Sequence, residues 1–328
     1  MAEVKIKNSD ILFIYDAKLC NPNGDPDDEN KPRMDYDTHR NLVSDVRLKR
    51  YIRDYLLNQG EDIFVYESEN KKMTATESIV ELFKKYDRNL PGTEKKPKLK
   101  KEDAEWILSK LIDVRLFGAI IPDTTIEMGK KAEKNAIFIG PVQFNWGYSL
   151  NKVSLVESSS ITSHFRTGEE KGAGAIGKDW RLYYSLIAFH GIISGKRAEK
   201  TMLKEKDIKI LDNALLKAIP LEATTRSKIG QAPRLLLRIE YVNNIIFLGD
   251  LRRYVKVEPE ENLRDISELR LKVDNLVELI KNNTNKIDKI YLWQDRDLKL
   301  KEEKTFKELL EENNNLKEKI VDLPHSEN

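Results

Sequence analysis

The chain has 328 residues, enough for one large domain or two modest ones with a substantial core. Charged residues make up 34% of it, yet the formal net charge is only +2, so the totals alone do not point to a polyanion. One cysteine, Cys20, excludes an internal disulfide framework and a multi-thiolate metal site, and no apolar run is long enough to span a membrane. The N-terminus shows no hydrophobic signal segment, so a cytoplasmic location is expected. Charge is unevenly placed. Residues 258–328 hold 13 Lys and Arg against 18 Asp and Glu, which leaves 44 against 37 in residues 1–257.

In chain order, ILFIYDAKL (11–19) reads as an apolar strand, with Cys20 a small buried hydrophobe at its end. NPNGDPDDENKPR (21–33) is too rich in Asn, Pro, Gly and Asp to be regular. VSDVRLKRYIRDYLLN (43–58) has a helical period that puts Leu48, Tyr51, Ile52 and Tyr55 on one side, suited to a core. Lys49, Arg50 and Arg53 fall within about one quadrant on another side. Between Arg40 and Arg53 there are five basic residues and one acid. Such a face either neutralises phosphates and releases counterions, or is simply solvated.

EDIFVYE (61–67) suggests part of an extended hairpin, and 75–86 a helix carrying Ile79, Leu82, Phe83 and Tyr86. Residues 90–103 form a Pro/Gly/Lys loop, followed by a short helix (104–111) and a strand (114–121). The alternation in 136–157 predicts one long strand or two in line. Phe144, Trp146 and Tyr148 share a face there. They are expected to line a core rather than to stack on bases, as RRM aromatics do. GAGAIG (172–177) matches a phosphate-loop pattern, but lacks the apolar strand before it and the helix after it that the mechanism needs. The stretch instead predicts a protruding hairpin carrying His164, Arg166, Lys171, Lys178 and Arg181.

A helix follows (204–219), striped by Ile208, Leu211, Leu215 and Ala218 and ended by Pro220. Arg226, Ser227 and Lys228 sit in a Ser/Thr-rich turn able to offer hydroxyls and N–H groups to phosphates. Arg234 and Arg238 share a strand face beyond it. Residues 241–255 suggest a second hairpin turning at Asn243 and Asn244. The tail reads as a helix (263–281, with Ile266, Leu269, Val273, Leu276 and Ile280), a strand (286–293) and a charged helix (302–319).

Five blocks in order resemble a known family. NPNGDPD…PRMD…LVSDVRLKRYIRDYL opens the chain, and DVRLFGA (113–119), IGPVQFNWGYSL (139–150), DWRLYYSLIAFHG (179–191) and LEATTRSKIGQAPRLLLRIEY (221–241) follow. The chain resembles the backbone subunits of type I CRISPR effector complexes (Cascade), the Cas-seven family, with a lean toward type I-B. The resemblance implies an α+β fold: a ferredoxin-like (RRM-like) palm within 1–257, helical fingers inserted at about 59–112 and a thumb hairpin at about 158–182. Residues 258–328 would be a charged helix-strand-helix extension packed on the palm. It implies a cytoplasmic, non-catalytic scaffold without cofactors that polymerises along CRISPR RNA and presents it to target DNA. Its partners would be crRNA, further copies of itself, other Cascade subunits and, through the guide, target DNA. On the matching positions the RNA contacts would be Asn21, Asn23, Arg33, Ser44, Arg47, Lys49, Arg50, Arg53, His164, Arg166, Lys178, Arg226, Ser227 and Lys228.

Two alternatives stand beside this. Asp25, Asp27, Asp28 and Glu29 are clustered carboxylates of the kind that hold Mg²⁺ and cleave RNA, as in related type III subunits. The four histidines (His39, His164, His190, His325) show no ligand spacing that would strengthen this. The other alternative is a stand-alone single-strand RNA binder of RRM type.

Overall fold

The structure, a computed structural model, describes residues 5–68, 71–121, 126–128, 131–133, 136–157, 160–162 and 176–325. The fold is α+β, built on a nine-stranded mixed sheet. In chain order its strands are β1 (Ser9–Lys18), β2 (Met34–Asp35), β3 (Arg40–Val43), β4 (Val142–Phe144), β5 (Gly147–Ser149), β6 (Tyr184–Ile193), β7 (Gln231–Tyr241), β8 (Ile287–Gln294) and β9 (Ile320–Asp322). Their spatial order is β9-β8-β7-β1-β6-β5-β3-β2, with β4 also paired to β6. Only the β8–β9 pair is parallel among these.

β1 is nearly all buried because it lies between β6 and β7 and is covered on both faces. Ile11, Phe13, Tyr15 and Ala17 pack under helices α1 (Asp45–Asn58) and α6 (Glu205–Glu222). Leu12 and Ile14 face the other way, under Leu263, Ile266, Leu269, Leu276 and Ile280 of the tail. A two-sided strand has no polar face to show, hence the unbroken apolar run. On α1, Leu48, Tyr51, Ile52 and Tyr55 are buried as the spacing predicts.

A third, smaller core joins Phe64 to helices α2 (Ala75–Lys85) and α3 (Lys101–Lys110), through Ile79, Phe83, Ile107 and Leu108. α2 begins in a capping box, Thr74 accepting from the Glu77 N–H and Glu77 from the Thr74 N–H. Helix α4 (Ile112–Phe117) occupies part of the expected strand 114–121; a strand, Gly118–Ile121, begins only at the left-handed Gly118. Arg115 explains why. Its guanidinium bonds both Asp207 oxygens (2.8 and 2.9 Å) and the Leu108 and Ser109 carbonyls, geometry available from a helix.

Other expectations are also corrected. Pro220 sits inside the last turn of α6, where two further residues complete the helix. Residues 242–250 do not return as a hairpin: they cross the end of β1, with Asn244 Oδ1 accepting the Asn8 N–H and Asp10 Oδ2 accepting the Leu248 N–H (3.1 and 2.7 Å). The expected helix 263–281 is a 3₁₀ turn (Ile266–Glu268), a strand (Arg270–Lys272) paired with Lys256–Glu258, and helix α7 (Asp274–Asn282). Leu269, Leu271 and Val273 are all buried, a two-residue alternation hidden inside the helical spacing. The tail also gives β8 to the sheet beside β7 rather than only packing on it. Among the described residues, no helix is long and apolar enough to cross a membrane.

Arg234 and Arg238 are interior ion-pair residues. Arg238, 2% exposed, bonds both oxygens of Asp212, which also meets His325 Nε2 at 2.9 Å. Burial alone would raise the Asp212 pKa; Arg238 and His325 outweigh it and hold the carboxyl below its ordinary value. Asp212→Ala leaves the buried Arg238 with only the more distant Glu240 (3.4 Å) and is expected to lower unfolding stability by about 3–5 kcal/mol. Urea denaturation measures this; a loss below about 1 kcal/mol would show the pair to be dispensable.

Candidate nucleic-acid interface

The loop after β1 is pinned from both sides. Lys18 N–H donates to the Gly230 carbonyl and Asn21 N–H to that of Ser227 (2.8 Å each), while Leu182 N–H donates to the Cys20 carbonyl (3.0 Å). Within the loop, Gly24–Asp25 pairs with Lys31–Pro32, and Asn21 Nδ2 donates to the Asn30 carbonyl at 2.7 Å. Only glycine fits at position 24, because a Cβ there would lie 1.9 Å from Asn30 Oδ1 and 2.9 Å from the Asn30 carbonyl oxygen. Asn23 Oδ1 accepts both the N–H and the hydroxyl of Ser44 (2.8 and 2.9 Å), fastening the loop to the start of α1.

Three segments far apart in sequence thereby meet: the loop, the first turns of α1, and the turn before β7. Lys228 Nζ donates to the Asn21 carbonyl at 2.6 Å. The Arg47 guanidinium lies over the Tyr51 ring, 4.7 Å from its centroid. Gln231 Nε2 joins the Tyr51 hydroxyl (3.2 Å) to the Lys228 carbonyl (2.8 Å). Burial first, then repulsion from Arg47, lowers the Lys228 pKa to about 8. At the rim, Arg33 pairs with Asp25 (3.0 Å) and Lys178 with Glu29 (2.6 Å), while the Arg226 side chain is 66% exposed. Arg181 ties the rim together through the Leu19 and Arg226 carbonyls.

Several buried polar atoms here have no hydrogen-bond partner: Asn21 Oδ1, Arg33 Nε, Arg47 Nε, Trp180 Nε1 and Gln231 Oε1. Leaving such atoms unpaired is costly, so their concentration at one place marks a surface prepared for a polar ligand or solvent. Arg47 and Lys228 have no carboxylate partner among the described residues; a ring and a carbonyl hold them instead.

The structure thus gathers Asn21, Asn23, Arg33, Ser44, Arg47, Arg226, Ser227 and Lys228, with Lys178 at the edge. It does not leave Lys49, Arg50 and Arg53 as a free cationic face. Lys49 is 8% exposed and held by Asp45 Oδ2 and Gln143 Oε1 (3.0 and 3.2 Å). Arg50 bonds both Asp54 oxygens at 2.7 Å and meets Glu67 at 3.2 Å. Arg53 meets the buried Asp113 at 3.0 Å, and Asp113 also accepts the Phe64 N–H. Two of these acids arrive from distant segments, which a helical wheel cannot register.

His164, Arg166, Lys171 and most of GAGAIG lie outside the described residues; what is described flanking them is Ser160–Thr162 paired antiparallel with Ile176–Lys178. Cys20 is buried, and burial pushes its thiol up to about 12. Of the loop acids, Asp25, Asp28 and Glu29 are engaged by Arg33, Lys31 and Lys178. Among the described residues, no three His, Cys, Asp or Glu side chains converge as a metal site.

Sequence reasoning missed Gln231, Tyr51 and two tryptophans as members of this region. The Lys31 ammonium is 5.0 Å from the Trp180 ring and the Arg33 guanidinium 5.7 Å from the Trp146 ring. The expected aromatic row does not form: Phe144 is buried, whereas Trp146 lies between strands β4 and β5 and is exposed.

Comparison with known proteins defines the class. The family model for the CRISPR-associated protein Cas7 matches residues 7–274. A curated relative from Haloferax volcanii, the CRISPR-associated protein Cas7, is 34% identical over 312 residues, covering 90% of this chain and 89% of the relative. The chain belongs to the Cas7 family of CRISPR-associated proteins. Two solved chains are also similar. One, from a CRISPR RNA-guided surveillance complex in a pre-nicking state, has a TM-score of 0.48 at 14% identity and covers 85% of this chain and 86% of its own. The other, from a CRISPR RNA-guided surveillance complex, has a TM-score of 0.47 at 12% identity, over 93% and 97%. Those overlaps are too loose to bear on topology.

The partly buried Lys228 makes a pH prediction. Its folded pKa of about 8 lies below the ordinary lysine value near 10.4, so between the two the unfolded chain holds more proton. Stability contributed by this group therefore rises with pH across that window. The urea midpoint of wild type is expected to rise relative to that of Lys228→Met as pH rises through it; parallel pH curves would contradict the partly buried placement.

Proposed function

We propose that this Cas7-family chain is the guide-RNA-binding backbone subunit of a type I CRISPR surveillance complex. Several copies line one crRNA, hold its phosphates and leave its bases to pair with target DNA, alongside other subunits of the complex. Sequence is then read by base pairing rather than by side chains. The observation that carries this reading is the meeting of the 21–33 loop, Ser44 and Arg47 of the α1 start, and the 226–231 turn around unpartnered buried polar atoms.

We assign the RNA cradle to Asn21, Asn23, Arg33, Ser44, Arg47, Arg226, Ser227 and Lys228, with Lys178 at its rim. Lys49, Arg50 and Arg53 support it from behind by fixing α1. The palm is ferredoxin-like: the chain order β1-α1-β5-β6-α6-β7 with spatial order β7-β1-β6-β5 supports this. The separate small core around α2 and α3 supports the finger insertion, and the pairing of Ser160–Thr162 with Ile176–Lys178 a thumb that also carries His164 and Arg166. The tail belongs to the palm, since it completes the sheet and covers its second face.

That cover speaks against a stand-alone RRM mode, in which bases stack on the open sheet. Here Leu12, Ile14, Leu235 and Leu237 are buried beneath the tail. RNA is instead met at the end of β1. Scaffolding rather than cleavage fits the loop acids, three of which, Asp25, Asp28 and Glu29, are engaged by cations of the loop and rim.

Arg47→Ala with Lys228→Ala is expected to weaken binding uniformly across RNA sequences and to flatten the salt slope by about 0.7 per lost phosphate contact. Alanine at Lys49, Arg50 and Arg53 is expected to lower stability and leave the slope unchanged. Filter binding across a salt series decides between them; the reverse pattern would put the cradle in the wrong place.

A further inference from the structure

Trp146 is one of the large apolar side chains left exposed among the described residues, and it stands beside the cradle. Strands β4 and β5 both pair with β6, and the chain steps away from the sheet between them. The inner side is filled there. Phe144 meets Phe189 edge-on at 6.5 Å, and a Cβ on Gly147 would lie 2.4 Å from the Phe189 ring. Tyr15 also stacks on Phe189 at 6.2 Å, so that side is full, and Trp146 is 44% exposed. A large aromatic left half open forgoes much of the burial it could contribute.

Its backbone is nonetheless firmly held. Asn145 N–H donates to the His190 carbonyl (2.9 Å), Trp146 N–H to Asn145 Oδ1 (2.8 Å), and Arg252 Nη1 to the Trp146 carbonyl (2.6 Å). Arg252 is fixed in turn by Asp250. A ring presented from a fixed backbone loses little entropy on binding. Beside it lies Arg33, whose backbone N–H donates to the Asn23 carbonyl at the cradle (3.0 Å). Trp180, the other tryptophan near the loop, has two lysines near its ring, Lys31 and Lys178.

We propose that Trp146 is a stacking platform for one unpaired base of the RNA whose backbone passes Arg33. This rests on the RNA-binding reading above and adds to it a contact with a base. An open aromatic beside a phosphate-binding cation suits single strands, because every base has a π-face and stacking does not depend on sequence.

The test uses the full chain and a single-stranded RNA short enough that mass measurement finds one copy bound. A ribose-phosphate oligomer of the same length without bases serves as comparison. Trp146→Leu keeps bulk without the aromatic face and is expected to bind the RNA about tenfold more weakly, whereas Trp146→Phe stays within about threefold of wild type. The salt slope is expected to stay unchanged in both, since stacking releases no counterions. Wild type should prefer the base-bearing oligomer, and Trp146→Leu should lose that preference. Wild-type affinity and base preference in Trp146→Leu would overturn the proposal. So would a defect seen only when several copies load on a long RNA, which would make the ring a contact between copies. A wild-type chain that binds neither oligomer would overturn the RNA-binding reading with it, so the two failures are distinguishable.

Discussion

β1 is covered on both faces and hydrogen-bonded along both edges, and the placement of everything at its C-terminal end follows from that. A strand held so completely cannot shift register without moving its side chains to the wrong face. The chain leaving it at Lys18 therefore starts from a fixed point. Backbone bonds to Gly230, Ser227 and Leu182 extend that rigidity into a loop rich in Asn, Asp, Gly and Pro. Such a composition would be expected to wander if left to itself.

Charge is used in two distinct ways. Several of the arginines that look available in the sequence are consumed in interior pairs, as in Arg238–Asp212, Arg115–Asp207 and Arg53–Asp113. Breaking such pairs is costly, but keeping them gives no attraction for a polyanion. The cradle differs in chemistry rather than in cation count. Lys228 leans on a carbonyl and Arg47 on a ring, so neither charge is cancelled. Lysine burial is tolerable there because its ammonium still has an acceptor, yet it remains poised to favour a phosphate.

The parts of the fold legible in the sequence were those whose period matches a single buried face. α1 and α2 were placed to within a few residues, because Leu48, Tyr51, Ile52 and Tyr55, and Ile79, Leu82 and Phe83, each mark one stripe. Helix 263–281 misled because its apolar positions fit both periods, and β-pairing with Lys256–Glu258 settled the matter nonlocally. Of the candidate site, Asn21, Asn23, Ser44 and Arg47 are legible through the family resemblance, not through charge. The Lys49, Arg50 and Arg53 face is not free, because Asp45 and Asp54 of the helix and Glu67 and Asp113 from elsewhere in the chain pair with it. Trp146 was hidden because strict alternation from Phe144 to Tyr148 ignores the break at Asn145.

The proposed cradle puts RNA at the end of β1, on the pinned loop and its two neighbours, and not on the sheet. Amide hydrogen exchange of the chain with and without single-stranded RNA tests it most directly. Added protection is expected in residues 20–33, 44–47 and 226–231, with the tail and the outer face of α1 unchanged. Protection concentrated in residues 263–322, with none in the loop, would contradict it.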